Sequence, residues 1–170
     1  GTYGNGLRNN GTHLVDLIRM LFGSIVSVGV VPGYRPFAEG PIEGDINAPF
    51  FVAMESGLVA MVQPIQFSSY REVGLDIWAE RGRLQLVHES LTAIETPVAD
   101  NRQLSGAMEL SHDNARAHTT SVGRALYSVY DNLSAAMQGH AALLCPGEDG
   151  LATMRVVEEL MLASTKAGCQ

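Results

Sequence analysis

The chain has 170 residues, enough for one domain and too few for two full α/β domains. At this length folding buries roughly 70% of the surface an unfolded chain exposes, so no staple is needed. Eleven Lys and Arg stand against eighteen Asp and Glu, a net charge of −7 that excludes a basic nucleic-acid surface.

Only 17% of residues are charged, against 46% hydrophobic, so apolar surface is left over for a sister subunit. Ten of the eleven cations are arginines, and the single lysine is Lys166. Lysine chemistry elsewhere has to come from another segment. Cys145 and Cys169 make no CxxC pair and no metal spacing. They read as free thiols in a reducing cytoplasm, with a single disulfide as the alternative. The longest uncharged stretches, residues 56–70 and 132–147, are too short to span a bilayer. No apolar leader opens the chain, and a cytoplasmic location is expected.

The opening eleven residues, GTYGNGLRNNG, read as a loop. Residues 12–22 follow as a helix. Leu14, Leu17, Ile18 and Leu21 share one face, and His13, Asp16 and Met20 another. Asn9 or Asn10 is placed to cap its start and Gly23 its end, and the helix is expected to be mostly buried. Extended segments are predicted over 24–31, 50–54 and 58–67, with a hairpin at Glu55-Ser56-Gly57. Others follow over 73–79 and 83–87, with a hairpin at Glu80-Arg81-Gly82, and then over 91–96 and 104–110. Residues 114–138 read as a long helix with Leu126, Val129, Tyr130, Leu133 and Met137 at helical spacing. A turn at Cys145-Pro146-Gly147-Glu148-Asp149-Gly150 starts a last helix whose core side is Leu151, Met154, Val157 and Met161. This order predicts an α+β fold: a large, mostly antiparallel open sheet with helices packed on one face.

Several chemistries are disfavoured. Gly4-x-Gly6 opens a dinucleotide fingerprint, but Asn9 holds the third glycine's place and no βαβ unit follows. His112 and His118 lack partners at ligand spacing, so no metal site is read. No G-x-S-x-G exists. What remains is Asn9 to Asp16, where His13 stands at the first turn of an apolar helix. Histidine exchanges a proton near neutral pH, and a helix N-terminus favours the neutral, proton-accepting ring. Asn9 offers hydrogen bonds one turn earlier, and Asp16 stands one turn on, placed to orient the ring. On spacing alone the commoner occupant is a buried histidine bonded to a backbone carbonyl, and proton exchange is the second reading.

The run Asn9-x-Gly11-x-His13-x-x-Asp16-Leu17, then Leu21-Phe22-Gly23 and a Val-rich segment, resembles the start of a known C-terminal domain. That domain belongs to the glucose–fructose oxidoreductase / inositol dehydrogenase / MocA family, with its D-x-G-x-H-x-x-D pattern. Pro146-Gly147-Glu148-Asp149-Gly150-Leu151 is similar to the family's P-x-E-D-G-L segment, and the two hairpins fit its strand–turn order. The resemblance implies that residues 1–170 are a substrate-binding and oligomerisation domain. A Rossmann domain carried elsewhere would hold NAD or NADP, with no metal. The substrate would be a sugar, a sugar derivative or a cyclic polyol, and the sheet face would pair two copies. His13 would assist proton transfer at the substrate oxygen, with a lysine from the Rossmann domain.

Asn9 departs from the family's aspartate: it keeps hydrogen bonds to a hydroxyl but cannot act as base. Tyr70, Arg71, Arg124 and Tyr127 are further candidates for touching substrate, while a solvated loop or surface ion pair is the plainer role for each. Tyr130 is expected in the core. The rival reading is a non-catalytic ligand sensor on the same fold.

Overall fold

The computed structural model describes residues 1–37 and 40–167. The chain folds as two compact units. One comprises Gly1–Glu72 and the chain from Asn132 onward, and the other is Val73–Asp131. Among the described residues, three α-helices and two sheets, antiparallel apart from one short parallel pair, give the expected α+β class.

In the first unit the sheet order is β1-β4-β3-β2. Strand β1 (Thr2–Tyr3) pairs in parallel with β4 (Val59–Pro64). Strands β2 (Ile25–Val30), β3 (Phe50–Met54) and β4 form an antiparallel meander, and β3 and β4 join at the expected Glu55-Ser56-Gly57 turn. The opening residues are therefore built structure rather than a free loop. Alternation sends Val30, Phe50, Val52, Met54 and Val62 inward. Against them pack Leu14, Val15 and Ile18 of α1 (Thr12–Phe22), and Val156, Val157 and Leu160 of α3 (Gly147–Lys166). These side chains make one core on one face of the sheet. Phe51, Val59 and Met61 stand on the opposite face, exposed. There the Phe51 ring lies over Gly29, leaving no room for a Cβ.

Helix α1 has the predicted bounds and ends at Gly23, whose φ is 90° and whose N–H bonds Arg19 O. It is less buried than expected, since His13, Met20 and Leu21 face solvent. Neither Asn9 nor Asn10 caps it. The backbone arrives already helical, through a π turn at Leu7–Gly11, so no extended capping position exists. The core stripe of α3 also differs: Leu151 and Met154 are outside it, and Thr153, Val156, Leu160 and Ser164 join Val157. The helix carries two apolar stripes, and period alone does not say which one meets the sheet.

In the second unit β5 (Leu75–Ala79), β6 (Gly82–Val87) and β7 (Thr92–Asp100) form a meander. β8 (Met108–Leu110) pairs with the C-terminal end of β7 and β9 (Arg116–Thr119) with its N-terminal half. Strand β9 lies within the stretch expected to be helical. The Ala93–Ile94–Glu95 edge of β7 recruits it, and the Thr120 hydroxyl fastens it to Ser90 O. Helix α2 begins only at Ala125 and runs to Met137. None of its residues is buried, and Tyr130, expected in the core, is 68% exposed. Cys145 is an exposed thiol, and Cys169 lies outside the described residues. No helix among the described residues is long and apolar enough to cross a membrane.

Candidate functional site

The segment singled out by the sequence begins with a tightly held turn. Asn5 and Gly6 have positive φ (60° and 92°), and the π turn Leu7–Gly11 follows and runs straight into α1. The first N–H groups of a helical run have no partner inside it. Here three consecutive ones are taken up by three residues of a distant loop in reverse order. Gly6 N–H bonds Asn47 Oδ1 at 3.0 Å, and Leu7 N–H bonds Ile46 O at 2.9 Å. Arg8 N–H lies 2.9 and 3.1 Å from the two oxygens of the Asp45 carboxylate. Asp45 and Asn47 are both buried.

The loop is fixed from its other side as well. Tyr3 Oη donates to Ala48 O and accepts from Ala48 N–H, each at 2.8 Å. Burial holds the Tyr3 phenol well above its usual range, and the nearby Asp45 carboxylate adds to that. Arg8 reaches over to α3 and bonds Glu158 through Nε and Nη2 at 3.1 and 3.2 Å. That contact raises the Arg8 guanidinium further above its ordinary value.

The glycines of this opening are packing devices. A Cβ on Gly4 would fall 2.2 Å from the Phe67 ring, and one on Gly6 would fall 2.0 Å from Asp45 Oδ2. Phosphate cradles leave their glycines open to a ligand. These two are closed by protein atoms, so this loop does not fit a dinucleotide.

Asn9 sits in the middle of the π turn, half-buried, with its carbonyl accepting the Thr12 hydroxyl. His13 lies in the first turn of α1 and is exposed, which removes the buried-histidine reading. Its ring has no hydrogen-bond partner among the described residues. Asp16 does not reach back to it. Its Oδ1 accepts the Thr153 hydroxyl of α3 at 2.8 Å and stands 3.6 Å from Arg19 Nη1. Arg19 in turn donates to Thr153 Oγ1 at 2.8 Å and to Asp149 O at 2.9 Å. A depression of about 290 Å³ runs beside this seam, lined by Asp16, Arg19, Met20, Leu144, Cys145 and Asp149.

Tyr70 and Arg71 are exposed in the segment after β4. The Arg71 guanidinium lies 5.1 Å from the centre of the Phe67 ring, the same ring that closes on Gly4. Arg71 therefore lies beside the glycine-rich opening, and Tyr70 precedes it in the chain. Arg124 and Tyr127 are exposed at the start of α2, in the other unit. Sequence reasoning did not single out Asp45 and Asn47. Their signal is Gly44-Asp45-Ile46-Asn47-Ala48-Pro49: two residues of capping type with no helix after them, so their oxygens had to serve another element.

No protein-family model and no curated protein sequence matches the chain. Solved structures do. A dehydrogenase from Chromobacterium violaceum is similar with a TM-score of 0.69 at 15% identity, over 95% of this chain and 46% of that one. The WlbA dehydrogenase from Bordetella pertussis, in complex with NADH and UDP-GlcNAcA, matches with a TM-score of 0.61 at 16% identity, over 95% and 43%. Biliverdin reductase from Synechocystis, with biliverdin and NADP+, matches at 0.62 and 15%, over 93% and 45%. The chain thus spans less than half the length of each, and what it shares with these oxidoreductases is the fold of that part.

Proposed function

We propose that this chain is the substrate-side domain of an NAD(P)-dependent oxidoreductase acting on a hydroxyl of a sugar, sugar derivative or cyclic polyol. The reading rests on one observation: nearly the whole chain shares its fold with just under half of several oxidoreductases, two of them solved with NADH or NADP+. Because the glycine-rich opening is closed by Phe67 and Asp45, the dinucleotide belongs on a domain outside these residues. A nicotinamide, when bound there, supplies the hydride acceptor.

This chain's share of the reaction is the proton. Oxidising a carbinol releases a hydride from carbon and a proton from the hydroxyl oxygen. His13 is the group to take that proton: an exposed imidazole, unpartnered among the described residues, with a ring nitrogen able to accept it. Asn9, in the π turn just before α1, contributes hydrogen bonds to a substrate hydroxyl and no proton. Tyr70 and Arg71 extend the same side of the unit. The open sheet face bearing Phe51, Val59 and Met61 is the surface for a second copy.

The test is made in the protein that carries this chain with its dinucleotide domain. His13→Ala lowers kcat by about 10²–10⁴ with KM little changed. Asn9→Ala raises KM more than it lowers kcat. Turnover of the His13 variant within about twofold of wild type sinks the catalytic reading and favours a ligand sensor.

A further inference from the structure

From the latch between residues 45–47 and the π turn, we infer that Asp45 is a positioning residue that sets where Asn9 and His13 stand. The inference rests on the reading of His13 given above. The segment entering the turn adopts a backbone that few sequences hold unaided: positive φ at Asn5 and Gly6, then five residues of π helix. Such a conformation persists only where the surroundings over-determine it. The surroundings here are three hydrogen bonds to residues 6, 7 and 8, and only two of them come from side chains.

Asp45 makes the stronger of those two. Its carboxylate is 2% exposed, takes the Arg8 N–H on both oxygens, and receives its own chain's Ile46 N–H at 2.9 Å. Charge-assisted bonds of this kind are about twice as strong as neutral ones. Gly6 is pressed against the same carboxylate, so the turn has no room to slide toward it. Arg8 then extends away to Glu158, which ties the turn to α3. Asn9 is the next residue, and His13 follows one turn later on a helix continuous with the π turn. Removing the carboxylate frees the Arg8 amide, relaxes the π turn and moves Asn9 and His13 together. Among the described residues Asp45 makes no hydrogen bond to either of them, which separates its role from theirs.

Two measurements test this. The first is amide hydrogen exchange on this chain, comparing Arg8 with Gly23, whose N–H bonds Arg19 O at the far end of α1. In Asp45→Ala the Arg8 amide exchanges about tenfold faster or more while Gly23 is unchanged. Asp45→Asn, which keeps an acceptor oxygen, restores most of the protection. Should the alanine variant not fold, Asp45→Asn is read against wild type: its neutral oxygen holds the Arg8 amide more weakly, so that amide still exchanges about threefold faster while Gly23 is unchanged. Unchanged exchange at Arg8, or equal loss of protection at Arg8 and Gly23, overturns the inference. The second is turnover in the protein with its dinucleotide domain. There Asp45→Ala lowers kcat by about 10²-fold, as displacement of His13 requires, and raises KM in the direction that Asn9→Ala does, and Asp45→Asn recovers most of both. A full rate in Asp45→Ala beside a crippled His13→Ala overturns the positioning role alone. A full rate in His13→Ala overturns the catalytic reading, and the exchange comparison still decides whether Asp45 sets the turn.

Discussion

Gly6→Ala is the most informative single perturbation of this fold. The new methyl group would lie 2.0 Å from Asp45 Oδ2, far inside contact distance, at a residue whose φ is 92°. The positive φ alone costs about 1 kcal/mol for a residue with a Cβ. The carboxylate cannot swing aside freely, because it is buried and holds both the Arg8 and Ile46 amides. Displacing it gives up at least one charge-assisted hydrogen bond, worth about 1.5–3 kcal/mol. The expected loss is about 2.5–4 kcal/mol, or a fall in the melting temperature between roughly 5 and 15 °C. Gly57→Ala is the control. Its φ is 89°, but nothing stands within 4 Å of its Cβ, so only the backbone cost of about 1 kcal/mol applies. Urea unfolding followed by far-ultraviolet circular dichroism separates the two. The sole tryptophan, Trp78, belongs to the other unit and reports on that one instead. In an Asp45→Ala background the cost of Gly6→Ala drops to that of Gly57→Ala. Equal losses for the two glycine variants in the native background would refute the argument that the carboxylate crowds Gly6.

Two further outcomes are expected. In the second unit the Arg83 guanidinium bonds Asp76 and holds its carboxyl below the usual range. The pair therefore stabilises the unit above pH about 4 and is lost as pH falls through the lower folded value. Asp76→Asn blunts that part of the acid response in Trp78 fluorescence, since Arg83 also lies 4.4 Å from the Trp78 ring centre; an unaltered acid profile counts against the pair. Met61→Asp, on the exposed sheet face, converts a self-associated chain to an 18.2 kDa monomer in sedimentation at micromolar concentration. Wild-type chain that is already monomeric removes the proposed contact.

Where the sequence was legible, a local rule sufficed. Helix α1 matches its predicted bounds because an apolar period and a terminal glycine agree. The hairpins at Glu55-Ser56-Gly57 and Glu80-Arg81-Gly82 likewise follow from turn chemistry between alternating strands. Where it was not legible, a distant partner decided. β9 is a strand because β7 offers it an edge, and nothing within residues 114–124 announces that edge. The apolar period of α2 is real, yet its residues lie exposed, since period specifies a face and not a neighbour. The opening glycines suggested a phosphate loop or a free loop. Their actual reason is the arrival of Phe67 and Asp45, some sixty and forty residues away in sequence, as reading off the chain numbering shows. For the candidate site, His13 and Asn9 were singled out from spacing and resemblance, and nothing in the local sequence pointed to the loop 45–47 that holds the turn before them.

The placement of Asp16 changes what His13 is asked to do. Spacing alone made Asp16 the partner that orients the imidazole, as a carboxylate often does for a catalytic histidine. In the structure the Thr153 hydroxyl accepts from Arg19 and donates to Asp16, so the chain of bonds runs in one direction from guanidinium to carboxylate. Thr153 is buried, and loss of either neighbour would leave one of its hydroxyl's two bonds unmade. The seam therefore fixes the rotation of α1 about its own axis against α3. His13 lies three residues before Asp16 on that helix, so the seam determines the direction in which the imidazole leaves the helix. Asp16 acts on His13 through the helix rather than through a bond. No carboxylate among the described residues is hydrogen-bonded to the His13 ring, so in the proposed reaction its orientation falls to the helix that carries it.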